Sequence, residues 1–104
     1  MNKDKNNPEC GVMKTMKIMG SKWSMLILHQ LCSNKKRFGE LQRSLPGISP
    51  KTLSERLKQL EDQGIVNKKI FAEVPLHVEY SLTEKGASLK DIFAKIGTWG
   101  DKNI

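Results

Sequence analysis

A six-residue segment, LPGISP at positions 45–50, constrains the fold of this chain most, because it separates two short amphipathic segments. Before it, apolar residues at positions 38, 41 and 45 repeat at intervals of three and four, which predicts a helix of about two turns. Pro46 and Gly47 end that helix. Ser49 and Pro50 start the next one, since Ser is a favoured N-cap and Pro a favoured first helical residue. The sequence therefore predicts two consecutive helices joined by a tight turn.

The second of these helices is predicted to run from Pro50 to about Gln63, where Gly64 ends it. Leucines at positions 53, 57 and 60 form one apolar stripe along it. The opposite face is polar and carries Lys51, Ser54, Glu55, Lys58 and Gln59. Two helices in this order, with the second capped and basic, form a helix-turn-helix, whose second helix enters the DNA major groove.

Helices and a hairpin are predicted on either side of this pair. A short helix starts at Gly11, and a second helix, apolar on nearly every side, spans Lys22 to Cys32 with Ser21 as its cap. Residues 33–36 are expected to form a polar turn. After residue 64 the composition becomes β-branched and aromatic over 65–71 and 78–83, which predicts a β-hairpin that serves as a wing.

The chain is predicted to end in one helix capped by Thr83. The expected fold is mainly α with a small β-hairpin, a winged helix-turn-helix in which the terminal helices form a dimer interface. Residues 10–104 form one DNA-binding and dimerisation domain, and residues 1–9 a flexible N-terminal arm. A 104-residue domain with this much apolar helix surface needs a partner surface to cover it. The residues predicted to form the homodimer interface are Val12, Met16, Met19, Leu89, Ile92, Phe93, Ile96 and Trp99.

Charge favours a polyanionic partner. The formal net charge is +7, and residues 35–69 alone hold nine Lys or Arg against four Asp or Glu. Histidines and cysteines do not cluster with metal-ligand spacing, and no Gly-rich phosphate loop or catalytic arrangement is visible, so neither a metal, a cofactor nor an enzymatic activity is expected. The first nine residues have no apolar run of the signal-peptide type, and we expect a cytoplasmic protein without membrane association.

Candidate DNA contacts fall into two groups. Base readout requires polar side chains near the start of the recognition helix, and the candidates are Ser49, Lys51, Thr52, Ser54, Glu55 and Lys58. Phosphate contacts are expected from the preceding basic residues, Lys35, Lys36, Arg37 and Arg43. Two questions stay open: Glu55 either accepts from a cytosine amino group or orients Lys51 or Lys58, and Arg56 contacts either an acid of its own chain or a phosphate.

Several segments resemble the HxlR-type family of winged-helix regulators. They are 20–28 (GSKWSMLIL), 37–41 (RFGEL), 45–53 (LPGISPKTL), 57–64 (LKQLEDQG) and 74–84 (VPLHVEYSLTE). The resemblance implies a cytoplasmic transcription regulator that binds a palindromic operator in double-stranded DNA as a homodimer. The alternative is a winged-helix module that binds protein or RNA without operator specificity, and a steep salt dependence of duplex binding would separate the two.

This chain departs from the family pattern at both ends of the resemblance. The wing, commonly Pro-Pro-Arg, reads Pro75-Leu76-His77, so a minor-groove Arg is replaced by His77, which is either a weaker, pH-dependent contact or an exposed loop residue. Cys10 is followed by Gly instead of Pro. It precedes a helix, whose dipole favours the reactive thiolate, and some relatives of the family sense oxidants or electrophiles through the equivalent cysteine. Cys10 is therefore a candidate redox sensor, the alternative being a packing role, whereas Cys32 is expected to be buried and inert.

Overall fold

The computed structural model of the chain describes residues 10–104, so the predicted arm over residues 1–9 lies outside the described residues. Six helices and three strands follow one another in this part of the chain. They are α1 Gly11–Met19, α2 Lys22–Ser33, β1 Lys36–Arg37, α3 Phe38–Ser44, α4 Pro50–Asp62, β2 Val66–Phe71, β3 His77–Leu82, α5 Glu84–Ala87 and α6 Lys90–Asn103. The predicted order of helices and hairpin is confirmed, with two corrections given below.

The local signals that set the helix boundaries act as expected. The Ser21 hydroxyl accepts a hydrogen bond from the Ser24 N–H, and the Ser49 hydroxyl accepts one from the Thr52 N–H at 3.0 Å. Gly47 has a φ of 94°, a left-handed conformation that costs glycine little, and this allows the tight turn between α3 and α4. These local caps set where α2 and α4 begin.

The first correction concerns the sheet. Lys36, the last residue of the predicted turn, and Arg37, which follows it, form a third strand opposite Tyr80 and Glu79. The sheet is antiparallel with the order β1-β3-β2, so β3 lies in its centre. A two-residue strand is too short to show the alternation by which strands are recognised in a sequence. The sheet ties the residues that lead into α3 to the base of the wing.

The second correction concerns the last helix. Thr83 caps the four-residue α5, where its hydroxyl accepts from the Gly86 N–H at 3.0 Å and donates to the Gly64 carbonyl at 2.7 Å. A Cβ at Gly86 would collide with the carbonyl of Ile65, so this glycine lets α5 pack directly against the start of the wing. The long terminal helix, α6, begins only at Lys90, and it is not the helix that Thr83 caps.

One hydrophobic core holds the helices and the sheet together. Its most completely buried side chains are Ile27, Leu28, Leu41, Leu53, Leu57, Leu60 and Val66. They come from α2, α3, α4 and β2, which confirms that α2 is central and that the leucine stripe of α4 faces inward. Burying three leucines of one helix contributes several kcal/mol, about 1.5–3 kcal/mol for each side chain. The leucine stripe therefore holds α4 in a fixed orientation with its polar face outward.

Candidate nucleic-acid interface

The exposed side of α4, here called the recognition face, consists of Lys51, Ser54, Glu55, Lys58 and Gln59, all of which are exposed. It lies opposite the buried leucine stripe, as the sequence predicts. Among residues 10–104, no acidic group pairs with the Lys51 ammonium, and no hydrogen bond or ion pair engages the Glu55 carboxylate. The first two turns of the recognition face therefore present one free cation and one free anion to solvent.

The hydroxyls at the start of α4 are occupied by the helix itself. Ser49 accepts from the backbone of Thr52, and its hydroxyl donates to the Thr52 hydroxyl at 3.0 Å. Thr52 is also half-buried, whereas Ser54 is exposed. Of the three hydroxyl residues predicted to read bases, Ser54 is the one free to do so without disturbing the cap.

The structure bears on both questions that the sequence leaves open on α4. The Lys58 ammonium pairs with Asp62 at 3.0 Å, and this hydrogen bond raises the pKa of Lys58 above its usual value. Within residues 10–104 the Glu55 carboxylate pairs with neither Lys51 nor Lys58, so the interpretation in which it orients one of them gains no support. In the part of the chain that the structure describes, the Arg56 side chain bonds to a hydroxyl and not to an acid. Its Nε donates to the Ser21 hydroxyl at 3.2 Å, which links α4 to the start of α2.

A basic groove lies between α3 and the loop that joins β2 to β3. Its lining residues are Arg37, Phe38, Gly39, Glu40, Arg43, Leu76, His77 and Val78, and its volume is about 420 Å³. The Glu40 carboxylate accepts from the Arg37 N–H at 2.7 Å, which fixes the start of α3. The structure thus brings together three of the residues predicted to contact DNA, Arg37, Arg43 and His77, in one place beside the wing.

The outer face of the wing carries a second cluster. The Lys35 ammonium lies 3.6 Å from the Glu79 carboxylate, and the other oxygen of that carboxylate lies 3.7 Å from His77 Nε2. The His77 ring stacks on Phe71 with centroids 4.6 Å apart, and the Lys69 ammonium lies 5.0 Å from the centroid of the same Phe71 ring. With only 14% of its side chain exposed, His77 is not the exposed loop residue that the sequence suggests.

Four lysines on the sheet and in the segment before it differ in whether their ammonium groups already have a polar partner. Lys36 donates to the Asn34 side chain at 2.8 Å, and Lys35 is held by Glu79, so both predicted phosphate ligands already have partners. Lys68 and Lys69 on β2 are exposed, and sequence reasoning did not select them as contacts. Both lysines were already counted in the positive charge of residues 35–69, and that excess of charge could have identified them as candidate phosphate contacts.

The terminal helices leave an apolar surface exposed. Five predicted interface residues form this terminal-helix surface, and their exposed fractions are Val12 70%, Met16 48%, Ile92 46%, Ile96 44% and Trp99 62%. Two other predicted interface residues, Met19 and Phe93, are buried in the core of the same chain, and Leu89 is partly buried against it. The assignment of Met19 and Phe93 to the interface is corrected, because the apolar stripe is wide enough to face both the core and solvent. Met13 and Leu26 are also exposed and extend the surface.

The two cysteines differ in exposure. Cys10 is the N-cap residue of α1 and is exposed, and its side chain makes no capping hydrogen bond. Cys32 is half-buried near the end of α2, and burial raises the pKa of its thiol, which disfavours the reactive thiolate. Within residues 10–104, no group of His, Cys, Asp and Glu side chains is placed to hold a metal ion. No helix in this part of the chain is long and apolar enough to cross a membrane.

Comparison with protein families gives one match that covers most of the chain. A model of the HxlR-like helix-turn-helix family matches residues 18–104. The HTH-type transcriptional regulator YodB of Bacillus subtilis is 40% identical over 97 residues, which cover 92% of this chain and 87% of YodB.

Solved structures agree in fold. A transcriptional regulator of Porphyromonas gingivalis, described as a member of the MarR family, superposes with a TM-score of 0.88 at 43% identity and covers 94% of this chain and 96% of its own. Reduced YodB superposes with a TM-score of 0.78 at 40% identity, covering 91% and 94%. The redox regulator HypR in its oxidised form gives a TM-score of 0.84 at 38% identity, covering 91% and 98%. The winged helix-turn-helix prediction is confirmed.

Proposed function

Because the chain belongs to the HxlR-like helix-turn-helix family of transcriptional regulators, we propose that it binds an inverted-repeat DNA site as a homodimer, with α4 in the major groove. The observation that carries this proposal is the recognition face, which holds a free lysine and a free carboxylate on a helix fixed from behind by buried leucines. Membership of a regulator family also confirms the prediction that the chain is not an enzyme.

Base readout is assigned to the first two turns of α4. Lys51 is placed to donate to guanine O6 or N7, and Ser54 to donate or accept. Glu55 accepts from a cytosine amino group, a role supported by the absence of an ion-pair partner within residues 10–104. Ser49 and Thr52 hold the helix start in place, and Lys58 is restrained by Asp62 and contributes at most at the edge of the site.

Phosphate contacts are assigned to the basic groove and the wing. Arg37 and Arg43 line the groove and neutralise the backbone beside the recognition helix, as the helix before a recognition helix does in this fold. Lys35 and Lys36 stand at the same edge of the sheet and contribute once they exchange their present partners for a phosphate. The wing, residues 65–83, contacts the flanking backbone or minor groove.

The dimer follows from the terminal-helix surface. A two-fold axis lets one self-complementary patch cover the exposed apolar side chains of α1 and α6 in both copies. It also sets two recognition helices about one DNA turn apart, roughly 34–36 Å or a multiple of that distance. The site that such a dimer recognises is an inverted repeat.

Selection of duplexes from a random library, followed by gel-shift titration over a range of salt concentrations, tests the proposal. We expect enrichment of one inverted repeat, and a specific affinity at least about a thousandfold above that for random duplex. Sedimentation at micromolar concentration should give twice the monomer mass of 11.8 kDa. Equal binding to all duplexes, or preferential binding to RNA or protein without sequence selection, would contradict the proposal and favour an interaction module.

Regulation by oxidation is a second part of the proposal. The relatives HypR, described as a redox regulator, and YodB, also solved after treatment with diamide, support it. In this chain the exposed thiol is that of Cys10, at the start of the terminal-helix surface. Diamide takes two electrons and two protons when the Cys10 thiol joins a second thiol in a disulfide, and a bond at this place alters the packing of the terminal helices.

A further inference from the structure

The wing ends in an apolar tip. Val74, Pro75 and Leu76, here called the wing tip, lie in the loop between β2 and β3, and 99% of Val74 and 68% of Leu76 are exposed. Neither side chain belongs to the hydrophobic core or packs against it. Two large apolar side chains at the end of a projecting hairpin are therefore available to a binding partner.

The wing tip has no cation. Between residues 72 and 76 the charged side chain is that of Glu73, which is exposed. His77, the residue that follows, does not supply a free positive charge at the tip, because its ring lies against Phe71 and its Nε2 faces Glu79. A tip of this composition neutralises no phosphate, and it is not attracted by the strong negative potential of a narrow minor groove.

The wing tip lies beside residues to which DNA contacts are assigned. Leu76 lines the basic groove together with Arg37 and Arg43, the two arginines to which phosphate contacts are assigned. In the proposed complex, a backbone phosphate seated between these arginines would bring the neighbouring minor groove towards Leu76. In that complex, the apolar wing tip would lie close to base steps in the flanking DNA, which the recognition helix does not reach.

We propose that Val74 and Leu76 act as an apolar wedge in the flanking minor groove and make the protein select deformable flanks, TA or CA/TG steps, over A-tracts. The inference rests on the proposed DNA binding and adds a specificity determinant to it. Apolar side chains in a minor groove partly unstack a base step, and flexible pyrimidine–purine steps unstack most easily. Glu73 strengthens the selection, because its carboxylate is repelled most by the narrow groove of an A-tract.

Duplexes that share the selected inverted repeat and differ only in their flanks test the inference by gel-shift titration. The parent is expected to bind TA-flanked duplex about three- to tenfold more tightly than A-tract-flanked duplex. Leu76→Ser with Val74→Ser should bring the ratio close to one without changing the salt slope, since the tip meets no phosphate. Leu76→Arg should reverse the preference and steepen the slope by about 0.9.

Ile70→Ser is the matched control, because Ile70 is similarly exposed, 60%, but lies in β2 below the tip. It should leave the flank ratio as in the parent. A parent ratio near one, an unchanged ratio in the double Ser variant, or an equal effect of Ile70→Ser would each overturn the role of the wing tip while the inverted repeat is still bound. Loss of preference for the inverted repeat itself in the parent would instead overturn the proposed function.

Discussion

The recognition face and the terminal-helix surface are completed in different ways. The recognition face is polar, is backed by buried leucines and has its shape set within one chain. The terminal-helix surface leaves 44% of Ile96 and 62% of Trp99 exposed within residues 10–104. Water solvates the polar recognition face well. Exposure of the apolar terminal-helix surface to water is unfavourable in free energy until another surface covers it. If the proposed function holds, specificity depends on single polar side chains of one chain, whereas assembly depends on an apolar surface that a second copy covers.

Charging the terminal-helix surface should have the largest effect. Ile96→Asp places a carboxylate in the proposed dimer interface, so we expect monomers in sedimentation and operator affinity reduced about a hundredfold or more, because the two half-sites are no longer linked. Ile96 is preferable to Phe93, whose burial in the core means that Phe93→Asp would unfold the chain. Thr98→Asp, an equal charge change at an exposed position of α6 off the stripe, is the control. A monomeric parent, or an Ile96→Asp variant with full affinity, would contradict the dimer.

On the recognition face, Lys51→Ala and Glu55→Ala should change which sequence is bound. Each base contact is worth about 1–3 kcal/mol, so each variant should lose discrimination at one base pair of the half-site in a panel of single-base-pair duplex variants. Gln59→Ala changes an equally exposed residue one turn further from the start of α4 and should leave the panel unchanged. The assignment of readers fails if both variants discriminate among duplexes as the parent does.

Oxidation at Cys10 tests whether the two surfaces communicate. Treatment with diamide should change operator affinity about fivefold or more in the parent, the range of ordinary coupling between sites. Cys10→Ser should remove the response, and Cys32→Ala should keep it, because the Cys32 thiol is half-buried and its pKa is raised. A response that persists in Cys10→Ser would leave Cys10 with a packing role.

The smallest effect is expected in the basic groove, where contacts are independent of sequence. Arg43→Ala should weaken binding to specific and random duplexes alike and flatten the salt slope by about 0.9, the value for one phosphate contact. Lys102→Ala removes the same charge from the exposed end of α6 and should leave the slope as it is. If the slope of Arg43→Ala equals that of the parent, the groove does not hold a phosphate.

Much of the DNA-binding half was predictable because its signals are local. Ser49, Pro50 and the leucine spacing set the start and the buried side of α4 within a few residues of chain, and the recognition face follows from them. The wing strands were predictable from their β-branched and aromatic composition, but β1 was not, since it exists only through pairing with Tyr80 and Glu79 more than 40 residues away. The close packing of α5 against the start of the wing likewise depends on Gly86, which lies against the Ile65 carbonyl.

Capping, periodicity and charge act over neighbouring residues, so the order of helices, the helix-turn-helix, the basic middle of the chain and the apolar character of the terminal helices can be predicted from the sequence alone. Which apolar residues of those helices face inward depends on tertiary packing, which buries Met19 and Phe93 in the core and leaves Ile92 and Trp99 exposed. Tertiary packing also turns His77 onto Phe71 and leaves Leu76 at the wing tip. These outcomes depend on contacts between segments far apart in the chain. When the apolar stripe of a helix is wide enough to contact two surfaces, the sequence does not indicate which surface each side chain contacts.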